Sequence, residues 1–92
     1  MVGKRKPMHE LSIAQGIVTS VLSHLPAGTG EPVARVKVKV GGGSRMAPES
    51  LRFCFAAASR GTQVQGAALE IEETAGYEIV LVEFDLQEGG VP

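Results

Sequence analysis

Apolar residues in the first third of the chain fall at helical steps. Leu11, Ala14, Val18, Val21 and Leu25 recur every three or four residues, and Ile17 and Leu22 widen the stripe, which predicts an amphipathic helix with one face on a core. Pro26 and the Ala-Gly-Thr-Gly after it end that helix. The period then drops to two: in VARVKVKV, Val36, Val38 and Val40 alternate with Arg35, Lys37 and Lys39, as in a strand with one face buried and the other in water. GGGSRMAPES reads as a flexible connection, and Pro48 suits the first turn of a second helix, where its missing N–H costs nothing. That helix is predicted from Pro48 to about Arg60, with Leu51, Cys54, Phe55 and Ala58 inward and Gly61 as its C-terminal cap.

AALEIEET and YEIVLVEFDL read as two more strands, separated only by Ala75 and Gly76 and so predicted to form a tight hairpin. A two-residue loop sets Thr74 opposite Tyr77 and pairs Ile71 with Val80, Leu69 with Val82 and Ala67 with Phe84 on one apolar face. The other face then carries Glu70, Glu72 and Glu83, with Ile79 and Leu81, beside the outward Arg35, Lys37 and Lys39. This is an acid and base ladder on an open sheet face. The order helix, strand, helix, strand, strand predicts an α/β fold, a two-layer sandwich whose three-stranded mixed sheet has both helices on one face. Exposed Ile79 and Leu81, with Val91 in the tail, predict homodimerisation or partner docking through the open face.

Composition adds limits. Ninety-two residues make one domain, able to bury roughly 60–65% of the surface its unfolded form exposes. Residues 8–86 carry the periodic pattern; 1–7 form a basic leader and 87–92 a tail, both expected to be disordered. Hydrophobic residues make up 43% and mean hydropathy is +0.11, a globular composition, and no apolar run approaches the roughly 20 residues of a membrane span. The leader is not followed by the apolar segment of a secretory signal, so a cytoplasmic location is expected. Net charge is −1, but Lys4, Arg5 and Lys6 crowd the leader, while no Lys or Arg follows Arg60 and seven acids lie from Glu70 to Glu88. A nucleic-acid partner is not expected, because binding phosphates needs basic residues on the folded body. The single cysteine, Cys54, sits among apolar residues at helical spacing and reads as a small core residue.

Enzymatic constellations are mostly absent: there is no usable Cys–His pair and no phosphate loop with its lysine. VGGGS between a strand and a helix has some likeness to an anion-binding turn, against the simpler reading as a flexible connection. His24 sits near the end of the first helix, where an imidazole interacts favourably with the helix dipole. His9 differs, standing between Met8 and Glu10 ahead of the apolar stripe. An imidazole beside a chain terminus can chelate Ni(II), Cu(II) or Zn(II).

MHELSIAQ, then VARVKVKVG, APESLRFCF and GTQVQGAALEIEE, stand in the order and spacing of the nickel-binding domain of the HypA family. The likeness runs from Met8 to Glu73, and VEFDL is similar to the family's final strand. The resemblance implies a metallochaperone that passes Ni(II) toward the large subunit of [NiFe] hydrogenase with the GTPase HypB. It also implies a nickel site at Met8, His9 and Glu10, made of the His imidazole and backbone nitrogens, the terminal amine included. Donors adjacent in sequence cost little loop-closure entropy, and deprotonated nitrogens give the in-plane field Ni(II) favours. The family inserts a zinc hairpin with two CxxC pairs between its last two strands. Here EETAGYE closes that gap, so no structural zinc is expected. MVGKRKP precedes Met8 and places its amine inside a peptide bond, and GGGS stands where the family has GELS. The competing expectation is a metal-independent adaptor or dimerisation module of the same family.

Overall fold

The structure is a computed structural model that describes residues 9–87, His9 by its backbone alone. The leader, Met8 and the tail with Val91 lie outside the described residues. Helix α1 spans His9–Ser23 and buries Ala14, Ile17, Val18 and Val21. Leu11, expected inward, is 45% exposed, because it lies in the first turn, before the fully buried stripe begins at Ala14. α1 stops short of Leu25: the His24 and Leu25 amides reach back only three residues, to the carbonyls of Val21 and Leu22, and a tightened last turn of this kind ends an α-helix.

Strand β1, Val33–Gly41, buries Val33, Val36, Val38 and Val40 to 3% exposure or less. It leads through a short 3-10 turn, Gly42–Ser44, to α2, Pro48–Ala58. Pro48 opens α2, Leu51 and Phe55 are buried, and Cys54 and Ala58 are half-buried, as the apolar spacing predicts. Past the helix Gly61 takes a left-handed φ of +80°, open to glycine without Cβ cost, and a turn carries Val64 into the core. β2, Ala68–Thr74, and β3, Ile79–Leu86, complete the chain.

The predicted hairpin does not form. β2 and β3 are the outer strands and β1 lies between them, in the order β2-β1-β3, parallel to β2 and antiparallel to β3. Ala75–Glu78 steps over the end of β1: two strand spacings are about 10 Å, within the roughly 17 Å that five extended chain steps can reach. Electrostatics favour this order. β2 and β3 both present acids on the open face, and side by side they would crowd carboxylates together, whereas β1 puts a row of bases between them. Arg35 donates to Asp85 Oδ2 at 2.8 Å and to Glu70 Oε1 at 2.8 Å and lies 3.1 Å from Glu83 Oε2, and Lys37 Nζ is 3.7 Å from Glu72. The expected ladder is present at Arg35 and Lys37, centred on one strand.

The strand order also corrects the parity of β3. Ile79 and Leu81 pair with Val40 and Val38 and pack against the core half-buried, while Val80 and Val82 are 44% and 42% exposed. A one-residue slip reverses a strand's faces. The register shift between Lys37 and Val38 leaves Val82 as the extra residue, after which Phe84 faces the core as expected. Ile79 and Leu81 therefore cannot serve as an open-face dimer contact.

Candidate functional site

Of the residues expected to hold metal, Met8 and the His9 side chain lie outside the described residues. The backbone of His9 is the first residue of α1 and Glu10 stands in its first turn.

The Glu10 side chain is half-buried and shares a shallow groove of about 360 Å³ with Glu49, Ser50, Phe53 and Cys54 of α2. α1 thus begins beside the first half of α2. Each helix has an acid in its first turn, Glu10 and Glu49, where the helix dipole favours negative charge. Phe53 is 76% exposed. It falls off the Leu51, Cys54, Phe55, Ala58 stripe, and that displacement was the available signal. Nothing in the sequence alone placed α2 beside Glu10. Cys54 is a free thiol at the edge of this groove and, half-buried, is less enclosed than a core residue. Among the described residues no group of three or more His, Cys, Asp or Glu is gathered in a way that could hold a metal ion.

The other two candidates have structural partners. In the glycine turn the Gly41 amide donates to the Glu78 carbonyl at 2.7 Å and the Gly43 amide to the Gly76 carbonyl at 2.9 Å. These N–H groups hold the loop between β2 and β3 and are not presented to an anion. His24 Nδ1 lies 2.7 Å from the Ser20 carbonyl, satisfying one of the last carbonyls of α1, as expected for an imidazole at a helix end.

A family model described as a hydrogenase and urease nickel incorporation metallochaperone, HypA, matches residues 8–78. This match covers both helices and the first two strands, and it starts at Met8. The chain belongs to the HypA family. Among curated relatives, the hydrogenase maturation factor HypA of Chlorobium limicola is 43% identical over 72 residues, 78% of this chain and 62% of the relative. The factor of the same name from Methanopyrus kandleri is 41% identical over 70 residues, 76% of this chain and 49% of the relative. That of a Bradyrhizobium strain is 44% identical over 69 residues, 75% of this chain and 61% of the relative. The chain thus spans between about half and three-fifths of the length of these relatives. Among the described residues of this HypA-family chain, no helix is long and apolar enough to cross a membrane.

Proposed function

We propose that this HypA-family domain is a nickel metallochaperone that takes Ni(II) as cargo at Met8, His9 and Glu10 and has no catalytic role of its own. The observation that carries the reading is a match to a nickel-incorporation family that begins at Met8. The His9 imidazole and the neighbouring backbone nitrogens are ligands of the type Ni(II) takes in a tetragonal field. In this reading it works with the GTPase HypB and passes Ni(II) toward the large subunit of [NiFe] hydrogenase, in the cytoplasm. Calorimetric titration of the full chain with Ni(II) tests it: one ion per chain is expected, and no binding would leave the metal-independent adaptor as the function. Structural zinc is not part of this reading, since one thiol and two histidines cannot complete the usual closed tetrahedral site. Metal analysis of chelator-washed protein should find no stoichiometric zinc.

A further inference from the structure

Among the described residues β3 has a strand partner on one side only, and α1 packs near it. A groove lies between them, lined on the helix by Ile13, Gly16, Ile17 and Ser20 and on the strand by Ile79 and Leu81. A second groove, of about 630 Å³, shares Ser20, Ile79 and Leu81 with it and is lined also by His24. Edge strands are ordinarily blunted by charged side chains, lysine above all, by proline, shortness or a bulge, because their unpaired N–H and C=O groups are a template for another strand. β3 is eight residues long, contains no Lys, Arg or Pro and opens Ile-Val-Leu-Val. Its register shift at Val82 and its acids, Glu83 and Asp85, lie in its second half, and Ile79–Leu81 is regular.

Two small residues, Gly16 and Ser20, stand one helical turn apart and line the groove. A Cβ placed on Gly16 meets nothing within 4 Å, so internal packing does not require glycine there. A mid-helix glycine weakens the helix, and what this one provides is open space beside the strand edge. The charges select the occupant. Those on β3 and its lead-in are all acidic, Glu78, Glu83 and Asp85, and the bases facing them from β1 are shared with β2: Arg35 is divided among Glu70, Glu83 and Asp85, and Lys37, opposite Glu83, is 3.7 Å from Glu72. A second β3 laid antiparallel on this edge would set acid toward acid, a destabilising pairing.

We propose that the β3 edge and the groove beside α1 form a docking site for an extended, basic segment of a partner protein, added to the sheet as a fourth strand. Successive side chains of a strand point to opposite faces, so its apolar side chains enter the groove and its Lys or Arg side chains meet Glu83 and Asp85 on the open face. Backbone hydrogen bonds give the affinity and the alternating side chains the specificity. The residues lining this surface do not include Met8, His9 or Glu10, and the inference does not depend on nickel binding.

The test is an NMR titration of the isotope-labelled full chain with a capped seven-residue peptide of alternating Val and Lys, against one of alternating Val and Glu. The Val-Lys peptide should shift the amides of Ile79–Phe84 and slow their exchange, and the Val-Glu peptide should not. Gly16→Leu fills the groove with a better helix former, so the variant should keep its thermal midpoint or raise it while the Val-Lys peptide binds at least about tenfold more weakly. Ser20→Leu is a second variant in the same groove, with the same expected loss. Undiminished binding to both folded variants, equal binding of the two peptides, or shifts mapping away from β3 would overturn the proposal. So would a peptide-free dimer with protected β3 amides, because the occupant would then be a second copy.

Discussion

A Cβ at Gly41 would fall on the carbonyl of Gly76, where the loop from β2 to β3 steps over the end of β1. Gly41 has φ −76° and ψ 139°, a conformation any residue adopts, so a side chain there is opposed by the crossing backbone alone. Two residues on, a Cβ at Gly43 would come within 2.6 Å of the Tyr77 ring, but that ring is 73% exposed and can swing into solvent. Gly41→Ala should therefore cost about 1–3 kcal/mol, the range for overpacking against an unyielding neighbour, and Gly43→Ala less than about 0.5 kcal/mol, as for a surface change. Urea unfolding of both variants is the check. Equal losses would mean that the loop retreats as easily as the ring.

The same crossing shows what the sequence disclosed and what it withheld. Helices and strands were legible because their apolar periods differ: Val36, Val38 and Val40 at steps of two, and Leu51, Cys54, Phe55 and Ala58 at steps of three, one and three. Strand order was harder. The short link at Ala75 and Gly76 suggested a hairpin, although the outward acids of both flanking strands suit the basic strand between them, and that charge pattern carried the better information. Parity in β3 followed strand order, so Ile79 and Leu81 were placed on the wrong face. For the site, Met8, His9 and Glu10 stood out by resemblance, whereas the groove of Glu10 with α2 depends on helix packing, which no local pattern encodes.

Arg35 is the hub of the open face. Its hydrogen bonds to Asp85, Glu83 and Glu70, in that order of effect, hold the guanidinium above its ordinary pKa, so its charge is present at every pH at which the fold is studied. Arg35→Met should destabilise the protein at pH 7, where Glu70, Glu83 and Asp85 would remain close together without a base. The loss should be smaller in high salt, because screening relieves the repulsion. Urea midpoints of wild type and variant at low and high salt check this, and a loss independent of salt would assign the role of Arg35 to the packing of its stem.

Glu78 gives an acid-dependent contribution. Its own backbone N–H first, and then the Thr74 hydroxyl 3.0 Å from Oε2, hold its carboxyl below the ordinary value of 4.5. A carboxyl depressed in the folded state adds stability above its unfolded pKa, and that contribution is lost as pH falls through the lower folded value. Glu78→Gln removes the ionisation. The variant should start less stable at pH 6 and lose less of its thermal midpoint than wild type between pH 6 and pH 3. Parallel losses would show that the carboxylate makes no such bond in solution.

The amine of Met8 provides the sharpest test of the nickel reading. In the 92-residue chain it is an amide preceded by Pro7, whereas in a chain beginning at Met8 it is a free amine with an ordinary pKa of about 7.7–8.0. The His9 imidazole and the amides of His9 and Glu10 are common to both proteins, which differ among these ligands in the one amine. A donor worth a few kcal/mol corresponds to roughly 10–1000-fold in dissociation constant, and the chain starting at Met8 should bind Ni(II) tighter by that factor. Its advantage should grow from pH 6 to pH 8, because the amine must lose a proton to ligate. His9→Ala should nearly abolish binding in both forms. Calorimetric titration of the four proteins at the two pH values decides between the ligands: equal affinity with and without the leader would remove the amine from the site, and unchanged affinity after His9→Ala would remove the imidazole.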